Sequence, residues 1–225
     1  MILSEQPRIE LFNMDCMEFM RDVPDKYYDL AIVDPPYGIG EFSQTHRGKQ
    51  NQVFRKHTVT WNNNIPNQSY FMELNRISKN RIIWGANYYN CFENGGAIIW
   101  NKNNPHPNMS QCEIASCSIN RNVKRCDIDY YGFVGEDKCF HPCAKPIALY
   151  RWLLEYYAKP GDKIFDSHGG SFSSAIACHF LGFDFTGCEL DKDYFDAAVN
   201  RFKEYLTVPA IETKTVRQTN LFDYL

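Results

Sequence analysis

Leu30-Ala31-Ile32-Val33-Asp34-Pro35-Pro36-Tyr37-Gly38 joins an uncharged β-type run to a carboxylate, two prolines, an aromatic residue and a glycine. The first four residues suit a strand buried on both faces. The prolines end it, because they fix φ and have no amide hydrogen to give to a neighbouring strand. In a parallel sheet this puts Asp34 at a strand's carboxyl end, where ligands of such sheets bind. A second stretch, Lys163-Ile164-Phe165-Asp166-Ser167-His168-Gly169-Gly170-Ser171, follows the same plan: strand, acid, glycine turn, then the small-residue helix Ser173 to Ala177.

Working outward, further strands are predicted near Arg8 to Phe12, Arg81 to Trp84, Ala97 to Trp100, Glu113 to Ile119 and Phe183 to Cys188, beside Tyr28 to Val33 and Lys163 to Phe165. Helical spacing puts Tyr70, Leu74 and Ile77 on one face. It does the same for Ile147, Tyr150, Leu154 and Tyr157, and for Tyr194, Ala198, Phe202 and Tyr205. Pro160-Gly161 turns the second helix into a strand. The expected fold is α/β: a seven-stranded, mostly parallel sheet with helices on both faces.

The 225 residues are 44% apolar and 23% charged, values of ordinary globular chains. They fit one domain over residues 1–206, with a basic loop insertion at 39–66 and a tail at 207–225. The formal charge of −3, from 24 basic and 27 acidic residues, excludes nucleic-acid coating by bulk electrostatics and leaves room only for local basic patches. The longest uncharged stretch near the C-terminal half, Ala175 to Phe183, is far short of the roughly 18 residues of a membrane span. With no basic-then-apolar start at Met1 to Glu10, a cytoplasmic protein without membrane contact is expected. Nine cysteines there are small buried hydrophobes rather than disulfide partners. Cys112, Cys117, Cys126, Cys139, His141 and Cys143 fit no paired Cys-x-x-Cys pattern, so no metal is expected. A zinc-held protein that only binds DNA is the weaker alternative.

Asp34-Pro35-Pro36-Tyr37 is a rare tetrapeptide, expected by chance in on the order of one such chain in a thousand. It suits chemistry at the exocyclic amino group of a base, a poor nucleophile because its lone pair is delocalised into the ring. The Asp34 carboxylate and Pro35 carbonyl can accept from both amino hydrogens and turn the lone pair toward an electrophile, while Tyr37 stacks on the flipped-out base. Gly169 and Gly170 admit a ligand close to the backbone, and Glu189 stands roughly 20 residues past Asp166, where an acid binds ribose hydroxyls in nucleotide-binding sheets.

With these motifs the chain resembles the DNA amino-methyltransferases that use S-adenosylmethionine, in the permuted order called the β class. The resemblance covers most of the chain. It implies a Rossmann-like methyltransferase fold, catalysis by Asp34, Pro35 and Tyr37, and DNA as partner. It places the cofactor on Asp15 and Cys16 of Asn13-Met14-Asp15-Cys16, on Lys145 of His141-Pro142 with Lys145-Pro146, and on Asp166, His168, Gly169, Gly170, Ser171, Glu189 and Leu190. Trp100-Asn101-Lys102 is similar to a later structural strand of the family. The chain departs where the family has Asp-Pro-Phe-x-Gly-Ser-Gly: His168 replaces a phenylalanine and Phe172 a glycine. Aspartate at the head of the tetrapeptide favours adenine N6 as target; cytosine N4, or a catalytically silent DNA- or cofactor-binding relative, is the alternative.

Arg47, Lys49, Arg55 and Lys56 in the basic loop, with Arg121, Lys124 and Arg125 as a second patch, are the expected DNA contacts. Gln218-Thr219-Asn220-Leu221-Phe222 resembles the Gln-x-x-Leu-Phe peptide that docks on bacterial sliding clamps, through Gln218, Leu221 and Phe222, with packing of the tail on its own core as the alternative. Homodimerisation is left open.

Overall fold

Alternation along one strand sets the layers. Leu30 and Ile32 face one core, while Ala31 and Val33 face the other. The structure, a computed structural model, describes residues 6–40, 61–103, 110–129, 141 and 143–207. Its strands are β1 (Ile9–Phe12), β2 (Tyr28–Val33), β3 (Ser78–Trp84), β4 (Ala97–Asn101), β5 (Cys112–Cys117), β6 (Val123–Asp127), β7 (Lys163–Asp166) and β8 (Asp184–Cys188). Its helices are α1 (Cys16–Arg21), α2 (Gln68–Ile77), α3 (Ala86–Tyr89), α4 (Ile147–Tyr157), α5 (Ser173–Leu181) and α6 (Lys192–Thr207).

One eight-stranded sheet runs β1-β8-β7-β2-β3-β5-β4-β6. The five strands from β1 to β3 are parallel, β5 runs against both its neighbours, and β6 lies parallel to β4. The sequence predicts seven strands, and β6 is the eighth. Val123-Lys124-Arg125-Cys126-Asp127 sits at the sheet edge with only Cys126 buried, and charge on an edge strand hides its β character while blocking edge-to-edge pairing.

Helices α4, α5 and α6 bury Leu149, Leu153, Ile176, Ala198 and Phe202 against one face. Helices α1 and α2 bury Met20, Tyr70, Leu74 and Ile77 against the other. Helix α1 starts at Asp15, whose side chain accepts from the amides of Met17 (2.6 Å) and Glu18 (3.4 Å). No described helix is long and apolar enough to cross a membrane.

Helix α5 begins at Phe172, held in the left-handed region at φ 51° and ψ 34°, the position where the resemblance implies glycine. Its ring is fully buried, edge-on to Phe185 and Phe195 with centroids 6.4 and 6.1 Å away. The ring covers Gly169 and Gly187, where an added Cβ would come within 2.0 and 2.8 Å of it. Removing it as Phe172→Gly relieves backbone strain of about 1 kcal/mol but empties a site whose loss costs roughly 3–5 kcal/mol. Urea unfolding should therefore show the variant about 2–4 kcal/mol less stable; equal stability would contradict the packing.

Candidate active site

The chain leaves β7 for β8 on one side of the sheet's middle and reaches β3 from β2 on the other, so the neighbouring pair β2 and β7 marks a topological switch point. A crevice opens at the carboxyl ends of such a pair. Asp34 follows β2 at this point, and Asp166 is the last residue of β7.

Asp34 does not stand alone. Its Oδ2 is paired with the ammonium of Lys145, which also lies 3.0 Å from Glu113 of β5; Glu113 in turn is paired with Lys102 beyond β4. Four charges of alternating sign thus run Lys102, Glu113, Lys145, Asp34. The Lys145 ammonium lies between the rings of Trp84 and Tyr37, 5.3 and 5.7 Å from their centroids. Burial pushes the Asp34 carboxyl up, opposed by the Lys145 ammonium and reinforced by the Glu113 anion. Burial acts on Glu113 in the same direction, but the two lysines outweigh it and hold that group down at about 2. Burial would lower Lys145, yet Asp34 and Glu113 keep it well above its ordinary value. The Asp34 side chain remains 15% exposed.

Both predicted acceptors have tyrosine partners. The Tyr37 hydroxyl donates to Asp34 Oδ1 at 2.6 Å, and the Tyr89 hydroxyl of α3 donates to the carbonyls of Pro35 (2.5 Å) and Pro36 (2.8 Å). Tyr37, expected to stack on a base, stacks on Tyr88 with centroids 4.9 Å apart. Its ring also packs on Gly85, where a Cβ would sit 2.4 Å from it and where φ is +77°, so glycine is required there.

Around the glycine turn, Gly169 donates to the Cys188 carbonyl at 2.8 Å. Gly170 donates to Glu189 Oε2 at 2.8 Å, and Asp191 donates to its other oxygen at 2.9 Å. A cavity of about 210 Å³ next to the turn is lined by Cys16, Pro36, Ile65, Tyr70 and His168, among others. Ser167 Oγ bridges the Tyr70 hydroxyl (2.7 Å) and His168 Nδ1 (2.8 Å). Burial lowers His168 to about 4, so its ring is neutral. Asp166 accepts from Ser174 Oγ (2.7 Å) and the His168 amide (3.1 Å).

Burial pushes Asp166 up to about 7, against the pull of Ser174 and His168 and with help from the Asp34 and Glu189 charges. An acid that binds its proton more tightly folded than unfolded (about 3.9) contributes its full stability below about pH 4 and loses it as pH rises toward 7. Asp166→Asn should therefore gain on the wild type by on the order of 2–4 kcal/mol between pH 5 and 8, read from thermal melts. A gap that does not change with pH would remove Asp166 from this account.

Of the predicted site residues, Asp34, Pro35 and Tyr37 lie together, as do Asp166, His168, Gly169, Gly170 and Glu189. Cys16 lines the cavity. Asp15 spends its side chain on capping α1. Ser171 gives its carbonyl to Arg201 at 2.7 Å. Leu190 is exposed, its carbonyl accepting from Asn13 at 3.1 Å. Lys145, expected on the cofactor side, points instead to Asp34 and Glu113. Arg121, Lys124 and Arg125 are exposed at the β6 edge, with Arg125 paired to Asp127 at 2.7 Å. Arg47, Lys49, Arg55 and Lys56 lie outside the described residues, as do Gln218, Leu221 and Phe222. Sequence reasoning missed Glu113, Lys102, Tyr88 and Tyr89. The available signal for Glu113 was an acid within a predicted strand.

Residues 117–200 match the family described as DNA methylase, N6_N4_Mtase, a span that takes in His141, Lys145, the glycine turn and Glu189. The type II methyltransferase M2.MboI of Moraxella bovis is 23% identical to this chain over 94% of its length and 93% of its own. The chain is thus similar to DNA amino-methyltransferases, through a family model over residues 117–200 and a relative along nearly its whole length. Among solved structures, the M1.HpyAVI–SAM complex aligns with 86% of the chain and 99% of its own, with a TM-score of 0.59 at 21% identity. The cytosine-N4-specific PvuII DNA methyltransferase aligns with 89% of the chain and 92% of its own, with a TM-score of 0.60 at 10% identity. Likenesses at these identities carry the fold, a Rossmann-like α/β sheet.

Proposed function

We propose that this chain transfers a methyl group from S-adenosylmethionine to the N6 amino group of adenine in DNA. The observation that carries the reading is the Asp34 carboxylate and Pro35 carbonyl at the carboxyl end of β2, beside the glycine turn that follows β7. The residues of the turn fit the cofactor. Asp166 and Glu189 put two acids at it, suited to a cationic ligand, and Gly170 takes φ +53° there, a conformation that favours glycine. Glu189, Gly169, Gly170, His168 and Cys16 would hold it. When bound, S-adenosylmethionine supplies an electrophilic methyl group on a sulfonium.

The protein's own part is to present the nitrogen. An arriving amino group displaces the Tyr37 hydroxyl from Asp34 Oδ1 and shares the Pro35 carbonyl, whose second lone pair is free for it. Tyr37, released, offers its ring for stacking in place of Tyr88. The two acceptors then hold both amino hydrogens, so the nitrogen lone pair points away from them toward the electrophile. Arg121, Lys124 and Arg125, with the basic loop, supply phosphate contacts.

Incubation with labelled cofactor and mixed-sequence DNA, followed by digestion to nucleosides, tests this reading: N6-methyladenine is the expected product. N4-methylcytosine would establish the second reading, which the shared fold with a cytosine-N4-specific enzyme favours. No methylated base in any DNA would leave a silent relative.

A further inference from the structure

We infer that Lys145, held by Glu113, which Lys102 pairs in turn, is a positioning residue that keeps Asp34 ionised and placed for the base's amino group as it replaces the Tyr37 hydroxyl. The inference rests on the methyltransferase reading for its consequence, but its physical content is a charge coupling within the protein.

Geometry carries it. A neutral carboxylic acid at position 34 has one oxygen committed as an O–H donor and would meet an amino hydrogen with the wrong polarity, so the reaction needs the anion. Asp34 sits where burial favours the neutral form, and among the described residues one cation pairs with it, Lys145 on Oδ2. That leaves Oδ1, the oxygen now held by Tyr37, for the substrate. Lys145 is 5% exposed, boxed between two aromatic rings, and its second anion, Glu113, keeps it from swinging out. Lys102 in turn neutralises Glu113, so the chain of charges ends balanced and Lys145 is not drawn away from Asp34.

The described groups that interact with Asp34 are of known sign. Tyr37 on its own loop, Tyr89 of α3, Tyr70 of α2 and Tyr150 of α4 stay neutral, each raised by burial above its ordinary range. Cys143, ahead of α4, is likewise raised to about 12. Asp166 of β7 and Glu113 of β5 are the acids, and both disfavour the Asp34 anion. Lys145 alone among the described groups in contact favours it by charge.

Two substitutions then shift Asp34 in opposite directions, which a merely structural role would not do. The test follows the Asp34 carboxyl by carbon NMR of aspartate-labelled full-length protein, with the signal assigned from Asp34→Asn. In Lys145→Met the titration midpoint should rise by at least one pH unit. Methyl transfer at pH 7 should fall about tenfold and recover in part as pH increases, with cofactor affinity unchanged within threefold. In Glu113→Gln the midpoint should fall, because Lys145 then answers to Asp34 alone. Should Lys145→Met fail to fold, the direction of the Glu113→Gln shift decides. An Asp34 midpoint unmoved in the folded variants overturns the inference, and a cofactor affinity lost in Lys145→Met with that midpoint unmoved assigns Lys145 to the cofactor instead. A wild type that methylates no DNA refutes the functional reading, while the titration still decides the coupling.

Discussion

Asp34→Ala should lose methyl transfer by about a thousandfold while binding S-adenosylmethionine within about threefold of the wild type. One preorganised acceptor removed from a reacting centre costs 10²–10³ in rate. Here the loss reaches the upper end of that range, because the Lys145 ammonium, freed of its nearer partner, would face the amino group with a donor where an acceptor is needed. Affinity for the cofactor survives because the Glu189 bonds to Gly170 and Asp191, which shape the turn that would hold it, do not involve Asp34. Folding should survive as well, since Lys145 keeps Glu113 at 3.0 Å. Single-turnover incorporation of labelled methyl groups and calorimetry read the two quantities separately. A fully active Asp34→Ala protein would refute the mechanism.

Glu189→Ala is expected to raise the cofactor dissociation constant between about tenfold and a hundredfold, the range of about 1.5–3 kcal/mol that a hydrogen bond to a charged group contributes. Two losses combine. The ribose hydroxyls would lose their proposed acceptor, and the amides of Gly170 and Asp191 lose theirs, so the turn that should hold the cofactor is itself loosened. Glu189→Gln separates these effects. It keeps a carbonyl oxygen for one amide or one hydroxyl, and should fall between the wild type and Glu189→Ala. Unchanged affinity in Glu189→Ala would take this residue out of the site.

The inner strands were legible because β-type runs such as Leu30 to Val33 and Lys163 to Phe165 are buried on both faces, which leaves an uninterrupted signal in the sequence. Helices α2, α4 and α6 were legible from one apolar face each. What escaped has physical causes. Strand β6 puts four of its five residues in solvent and therefore reads as a basic loop. Helix α3 spans four residues between left-handed Gly85 and Asn90, too short for any periodicity, yet it delivers Tyr88 and Tyr89 to the site. Asp34 and the glycine turn were visible as motifs, since local chain geometry makes them. The Lys145–Glu113–Lys102 chain was not, because its members come from separate segments and meet only when β4, β5 and the segment before α4 are packed. Family resemblance put Lys145 beside the cofactor, whereas its ammonium pairs with Asp34 across 111 residues of chain.

The central pairing of β2 with β7 sets the order in which this protein can be made. Asp29 on β2 receives its hydrogen bond from the Lys163 amide, 134 residues later, and Arg8 at the start of β1 bonds Asp184 across 176 residues. A ribosome adding roughly 5–20 residues each second therefore leaves β2 with an open, apolar edge for on the order of ten seconds, and β1 waits longer still. Contacts of such span also slow folding itself, because the loop must close before any strand pairing repays it. The same arrangement means that a nascent chain halted before β7 has no crevice at all: it displays Asp34 and its prolines on a strand paired with β3 but open along its other edge, unable to act on any base, and prone to join another chain's edge.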